Sequence, residues 1–101
     1  MAYKSKFKSE ELDALFEAVM ALESGEECYR FFEDICTVNE MRSLAQRWSV
    51  AKYLAQKKTY SEIEDITGAS TATISRINKA LEYGADGYKT ILAKLEKGGK
   101  L

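Results

Sequence analysis

The side chains best suited to chemistry lie together in one short stretch, residues 70 to 79. Small hydroxyl and methyl side chains fill its start, two cations follow, and residues 69 to 81 contain no acid. Short polar side chains can approach the base edges of duplex DNA, while arginine and lysine meet its phosphates. The stretch therefore predicts a DNA-contacting set: Ser70, Thr71, Ala72, Thr73, Ser75, Arg76 and Lys79.

Other kinds of chemistry have little support in the sequence. It has no histidine, no glycine-rich phosphate loop and no nucleophile paired with a base at helical spacing, so we expect no enzymatic activity. Cys28 and Cys36 are eight residues apart in a helical stretch. That spacing is roughly 12 Å at about 1.5 Å of rise per residue, too far for a disulfide. Without histidine or a C-x-x-C pair, we also expect no metal ion.

Two helices with a glycine between them would position this stretch. Gly68 supplies the left-handed turn that other residues adopt only at a cost. Thr59 and Ser61 each precede a glutamate by three residues, so either can cap the helix before the turn, and Ser70 can cap the helix after it. This pattern predicts a helix-turn-helix over about residues 60 to 83.

The isoleucine spacing supports the same interpretation. Ile63 precedes the turn, and Ile74 and Ile77 follow it at positions that can pack the two helices together. A hairpin that only filled space would have no reason to place small hydroxyls at an exposed helix start, where they lower helix propensity. The pattern therefore favours a reading helix over a purely structural hairpin.

The acids of the helix before the turn fit DNA binding least. They are Glu62, Glu64 and Asp65, and Glu64 stands where helix-turn-helix motifs usually have a small residue. Carboxylates that faced the duplex would repel its backbone phosphates. We therefore expect either that these three side chains point away from DNA or that the site binds DNA weakly.

The composition of the whole chain favours helix. Its 101 residues include no proline, 31% of them are charged, and apolar residues recur every three or four positions. We predict one all-α domain over residues 1 to 101 with six helices, the first three at about 9 to 24, 27 to 36 and 38 to 58 and the last capped by Asp86. Residues 27 to 36 are apolar on more than one face, which one small chain cannot cover, so we expect a homodimer.

Charge is unevenly distributed along the chain. The net charge is −1, but residues 1 to 36 contain nine acids and four bases, whereas residues 41 to 61 contain five bases and no acid. A fold that places residues 41 to 61 beside residues 69 to 81 would have a positive face despite an acidic isoelectric point. We find no apolar run long enough for a membrane span or a signal peptide, so we expect a cytoplasmic protein.

The second half of the chain resembles a known family. Residues 37 to 76 read TVNEMRSLAQRWSVAKYLAQKKTYSEIEDITGASTATISR and are similar to the Trp repressor superfamily. Down to ATISRINKALEYGADGY, the chain resembles the YerC/YecD branch of small bacterial regulators. The resemblance implies six helices interlocked with those of a second chain, a helix-turn-helix from helices four and five, and base contacts by Thr71, Ala72 and Ser75. It also implies an aromatic amino acid that sets the spacing of the two reading helices.

The same resemblance implies a small-molecule site. Arg47 and Arg76 match the two arginines that sandwich the indole ring in the repressor. Ile77 stands where the repressor has a glycine beside that pocket, and Ala80 stands where it has a serine that helps hold the amino group. The isoleucine fills room that the ring would need, and the ammonium group would lack a partner. We predict that tryptophan is not a co-repressor. Either a smaller, unidentified effector binds near Arg47 and Arg76, or no effector binds and the two arginines are simply phosphate contacts.

Together these features predict a transcriptional regulator that binds specific DNA sequences and acts as a repressor. It would bind double-stranded DNA as a homodimer and read the major groove with the helix at about 71 to 83. The alternative is a protein-interaction module that kept the fold and lost DNA binding. The acidic first helices would suit such a module if its partner were basic.

Overall fold

The chain folds into helices joined by short turns. The computed structural model describes residues 3 to 101, and this part contains six α-helices and no β-strand. In chain order they are α1 (Glu10–Met20), α2 (Gly25–Ile35), α3 (Val38–Ala55), α4 (Tyr60–Thr67), α5 (Thr71–Tyr83) and α6 (Gly87–Lys97). The predicted all-α fold with six helices is confirmed. Over the same residues, no helix combines the length and apolar character needed to cross a lipid bilayer.

The boundary between the first two helices differs from the prediction. α1 ends at Met20, and α2 begins at Gly25, two residues before the predicted start. Ser24 has extended backbone and its hydroxyl accepts a hydrogen bond from the Glu27 N–H at 3.1 Å. Because a serine in this conformation is a strong N-cap, residue 24 belongs to the start of α2 and not to the end of α1.

The end of α3 also comes earlier than predicted, at Ala55 instead of about residue 58. Lys57 adopts a left-handed conformation with φ of 65°, and the N–H of Lys58 donates to the Tyr53 carbonyl at 3.1 Å. This closure satisfies a carbonyl that the helix end leaves open. Lysine rarely occupies such a position, so the sequence does not indicate the stop.

The prediction that Asp86 caps the last helix is wrong. Asp86 stands at the N-cap position of α6, but its φ is 66° and its side chain makes no cap hydrogen bond. A capping side chain reaches the first helical N–H groups from an extended backbone. The left-handed backbone at Asp86 is not that conformation.

The chain divides into two compact units, one that ends at Thr37 and one that comprises Val38–Leu101. The first unit holds α1 and α2, and neither helix has a buried residue. Phe31 and Phe32 pack edge to face with ring centroids 5.4 Å apart, yet Met20 and Tyr29 remain 77% and 72% exposed. This unit therefore leaves large apolar side chains uncovered, which is unusual for a surface that stays in water.

The second unit holds the hydrophobic core. α3 packs against α4, α5 and α6, and α5 also contacts α4 and α6. The buried cluster consists of Val50, Ala51, Ile63, Ala69, Ile74 and Ile77. Burying one aliphatic side chain of this size stabilises a fold by about 1.5–3 kcal/mol. Because Val50, Ile63 and Ile74 are 0% exposed and come from three different helices, they fix α3, α4 and α5 to one another.

Candidate nucleic-acid interface

The turn between α4 and α5 is tightly hydrogen-bonded. Gly68 has the predicted left-handed conformation, with φ of 73°, and its N–H donates to the Glu64 carbonyl at 2.9 Å. The hydroxyl of Thr67 donates to the Ile63 carbonyl at 2.7 Å and accepts from the Ala69 N–H at 3.1 Å. These bonds fix the direction in which the chain enters α5.

A side chain of α3 also holds this turn. The amide of Gln46 donates to the Thr67 carbonyl at 3.2 Å, across 21 residues of sequence. Helix ends leave their last carbonyls without partners inside the helix, and this bond satisfies one of them. The contact ties the end of α4 to α3, so it adds a polar link to the apolar packing of the same helices.

One face of α5 is anchored in the core. Ile74 and Ile77 are 0% and 5% exposed, and Ile63 of α4 packs in the same cluster. The prediction that these three isoleucines join the two helices is therefore confirmed. Ser70 is the N-cap, as predicted, and its hydroxyl accepts from the Thr73 N–H at 3.2 Å.

The opposite face of α5 is exposed and presents the predicted contact set, with one correction. Exposed members are Ser70, Thr71, Ala72, Ser75, Arg76 and Lys79. Thr73 was predicted to be exposed as well, but it is half-buried and its hydroxyl accepts from that of Ser70 at 3.1 Å. The Thr73 side chain is therefore part of the helix cap. The remaining side chains project from a helix whose position the core fixes.

The two cations of α5 are available to a ligand. Within residues 3 to 101, neither Arg76 nor Lys79 takes part in an ion pair, and the first turn of α5 contains no acid. A cation that is not paired within the protein keeps its full charge for a phosphate. Both cations therefore lie on α5 together with the exposed small side chains, and both can meet a phosphate.

The acids of α4 behave differently from one another. Glu62 turns back to the start of its own helix, where its carboxylate accepts from the Thr59 N–H at 2.8 Å. Asp65 is exposed. Glu64 is half-buried and accepts a hydrogen bond from the Thr71 hydroxyl at the start of α5. The expectation that all three acids point away from the contact face is therefore wrong for Glu64, because Thr71 offers it a donor there.

The five bases of α3 and the following turn fall into two groups, exposed and half-buried. Arg42, Arg47 and Lys57 are exposed. Lys52 and Lys58 are half-buried, and their ammonium groups lie 5.0 and 5.9 Å from the centre of the Tyr53 ring. Contacts of a cation with an aromatic face at these distances are attractive. Two of the five bases are therefore engaged with one ring, and the other three face solvent.

The residues of the predicted effector pocket occupy different surroundings. Arg47 and Arg76 are exposed on α3 and α5, whereas Ile77 belongs to the buried core. Ala80 lines an open apolar cleft of about 540 Å³ together with Trp48, Ala85, Gly87, Tyr88 and Ile91. The rings of Trp48 and Tyr88 stack on each other with centroids 6.3 Å apart. Ala80 alone of the four predicted residues lines this cleft, and no charged side chain does.

These elements define a class of protein. A short helix, a glycine turn and a second helix with one buried and one exposed face form a helix-turn-helix, supported here by α3 and α6.

Comparison with known proteins identifies the family. The model of the Trp repressor protein family matches residues 10–96, and the chain belongs to this family of DNA-binding regulators. The chain is 51% identical over 92 residues to the uncharacterized protein YerC of Bacillus subtilis strain 168, covering 91% of this chain and 88% of that protein.

Two solved structures share the fold. A crystal structure of a candidate Trp repressor from Staphylococcus aureus has a TM-score of 0.86 at 52% identity, covering 90% of this chain and 91% of that one. A TrpR-like protein from Eubacterium eligens ATCC 27750 has a TM-score of 0.86 at 49% identity, with 95% and 96% of the two chains covered. The Trp-repressor-like fold predicted from the sequence is thus confirmed. The family match spans both compact units of the chain.

Proposed function

We propose that the protein is a sequence-specific transcriptional regulator, acting as a repressor, that reads the major groove of double-stranded DNA with α5. The observation that carries the proposal is the division of α5 into two faces. Ile74 and Ile77 fix the helix in the core, while short side chains at its start and the cations Arg76 and Lys79 face solvent. Recognition of DNA requires these two properties together, a rigid helix and an exposed face that can reach bases and phosphates.

The acidic isoelectric point of about 5.5 is compatible with this proposal. Nine of the sixteen acids lie in residues 1 to 36, whereas residues 69 to 81 contain two bases and no acid. Interactions between exposed charges fall off over about 8–10 Å at ordinary salt. A phosphate at the start of α5 therefore responds to the charges within that distance, and the isoelectric point of the whole chain does not determine its binding.

The proposal includes a homodimer. Exposed apolar side chains in α1 and α2, among them Phe16, Met20 and Tyr29, support a second copy as the partner that covers them. Two copies would also present two reading helices, as pseudo-palindromic DNA sites require. Sedimentation at micromolar concentration is expected to give the mass of a dimer. A compact monomer at that concentration would contradict this part of the proposal.

One alternative has a specific observation in its favour. The excess of acids in residues 1 to 36 and the Glu64 carboxylate at the start of α5 suit a protein-interaction module that keeps the fold and binds a basic partner instead of DNA. Direct DNA binding separates the two functions. The proposed regulator enriches particular sequences from a pool of random duplexes, and its affinity falls steeply between roughly 50 and 200 mM salt. An interaction module enriches no duplex.

The proposal needs no cofactor or metal. Binding at an operator would itself exclude other proteins from the DNA, which is the simplest way for a small domain of this kind to repress transcription. Its place of action would be the cytoplasm, where bacterial DNA is found. The DNA-bound state would depend on dimer formation and on salt, and not on free tryptophan.

A further inference from the structure

The hydrogen bond between Thr71 and Glu64 determines what the start of α5 can offer to DNA. Thr71 is the first residue of α5 and is exposed, and Glu64 lies on α4 and is half-buried. The Thr71 hydroxyl donates its proton to the Glu64 carboxylate. A threonine hydroxyl has one proton and two lone pairs, and an ionised carboxylate has lone pairs alone. Once this bond is made, the pair presents only acceptors to solvent.

The surroundings of the pair favour this arrangement. α5 has no acid in its own first turn, and Glu64 brings a negative charge to that helix end from α4. A negative charge near a helix N-terminus is favourable because the first N–H groups lack partners within the helix. The hydroxyl of Ser70 already donates its proton to Thr73, so Ser70 does not compete for Glu64.

An acceptor-only pair discriminates among bases in the major groove. Guanine offers two acceptors there and thymine offers one acceptor and a methyl group, whereas cytosine and adenine each offer an exocyclic amino donor. Acceptors of the protein repel the acceptors of guanine and thymine and accept from an amino group. Cytosine is the better match, because adenine places an acceptor, N7, beside its amino group.

Resting on the proposed function, we infer that Glu64 and Thr71 form a specificity-determining pair that selects an exocyclic amino group, cytosine before adenine, at one position of each half-site. Glu64 also lowers the affinity for every sequence, because its charge opposes the nearby phosphates. Glu64 thus increases selectivity and lowers overall affinity. The first turn of α5 would then discriminate through a carboxylate that belongs to the preceding helix.

The test is selection from a pool of random duplexes with the full chain. The wild-type protein is expected to enrich cytosine over guanine and thymine by about tenfold at one position of each half-site. Glu64→Gln keeps the size of the side chain but adds a donor and removes the charge. It is expected to lose the preference at that position, to keep the preferences at all others, and to bind more tightly overall.

One control variant separates base selection from charge. Asp65→Asn removes a neighbouring charge without touching Thr71, so it is expected to retain the preference. If Glu64→Gln does not fold, Thr71→Val removes the hydroxyl from the other side of the bond and is expected to weaken the same preference. The melting temperature of each variant reports its folding.

The outcomes distinguish this inference from the proposed function. A wild-type protein that enriches no duplex overturns both. A wild-type protein that selects sequences, together with Glu64→Gln or a folded Thr71→Val that leaves every preference unchanged, overturns the inference alone. Loss of the preference in Asp65→Asn to the same extent as in Glu64→Gln also overturns it, because charge and not the hydrogen bond would then explain the effect.

Discussion

Thr59 and Glu62 cap each other at the start of α4. The Thr59 hydroxyl accepts from the Glu62 N–H at 3.1 Å, and the Glu62 carboxylate accepts from the Thr59 N–H at 2.8 Å. The Thr59 N–H holds the pKa of Glu62 below its ordinary value, with smaller contributions from the Thr59 side chain and the Lys58 charge. Of the two residues predicted as possible caps, Thr59 is the one used, and Ser61 lies within the helix.

This capping pair predicts a pH dependence of stability. Because the pKa of Glu62 is lower in the folded state, its carboxylate stabilises the fold above the ordinary glutamate pKa of about 4.3, and this contribution is lost as the pH falls through the lower folded value. Glu62→Gln is therefore expected to be less stable than the wild type at about pH 7, and the difference is expected to be smaller at about pH 3. Urea unfolding at the two pH values measures the difference.

Thr59→Ala is the comparison for that experiment. It removes the hydroxyl that caps α4 and is expected to lower the free energy of unfolding by about 0.5–2 kcal/mol at both pH values. A stability difference between the wild type and Glu62→Gln that did not change with pH would contradict the role assigned to the carboxylate.

Local features of the sequence predicted much of the fold. Ser9, Ser24 and Ser70 cap helices because short side chains meet nearby backbone groups, and Gly68 marks a turn because its conformation is costly for other residues. For Gly68 and Ser70 the sequence alone was sufficient. Ser24 was not predicted as a cap. Apolar residues recur at helical spacing as far as Leu22, so the sequence indicated that the first helix continues past its observed end.

Contacts between distant residues could not be predicted in the same way. Gln46 reaches Thr67 across 21 residues, and nothing in either side chain indicates the other as its partner. Glu64 was noticed as an unusual residue, but its bond to Thr71 depends on the angle at which α5 leaves the turn.

Substitution of Gly68, the glycine of the turn between α4 and α5, is expected to destabilise the fold. A Cβ at this position meets no neighbouring atom, but φ of 73° strains any other common residue. Gly68→Ala is expected to destabilise the fold by about 1–2 kcal/mol, measured by thermal or urea unfolding. Gly25→Ala provides the control, since that glycine has open space and no positive φ, and it is expected to be neutral or slightly stabilising. Equal effects of the two changes would show that conformation is not the cause.

Free L-tryptophan is not expected to bind in the micromolar range. Ala80 has no hydroxyl for the ammonium group, and loss of such a partner costs about 1–3 kcal/mol, or roughly five- to 150-fold in affinity. Ile77 lies in the buried core, so its side chain leaves no room for the indole ring. Titration calorimetry checks this prediction, and saturable micromolar binding by the wild type would contradict it.

A variant addresses the tryptophan site without disturbing the core. Ala80→Ser restores the hydroxyl at an exposed position and is expected to leave stability unchanged. Shortening Ile77 is unsuitable, because removal of a buried aliphatic side chain of this kind costs about 2–5 kcal/mol. Micromolar tryptophan binding by Ala80→Ser, absent in the wild type, would show that the missing hydroxyl alone prevents binding.

The salt dependence of DNA binding by the double variant Arg76→Ala, Lys79→Ala tests the central claim most directly. If each cation meets one phosphate, the variant binds every sequence more weakly, and the slope of log affinity against log salt becomes shallower by about 1.8. Lys94→Ala, Lys97→Ala removes two cations from the last turn of α6 and is expected to leave the slope unchanged. Wild-type affinity and slope in the Arg76 and Lys79 variant, on the sequence preferred by the wild type, would contradict the claim that α5 reads DNA.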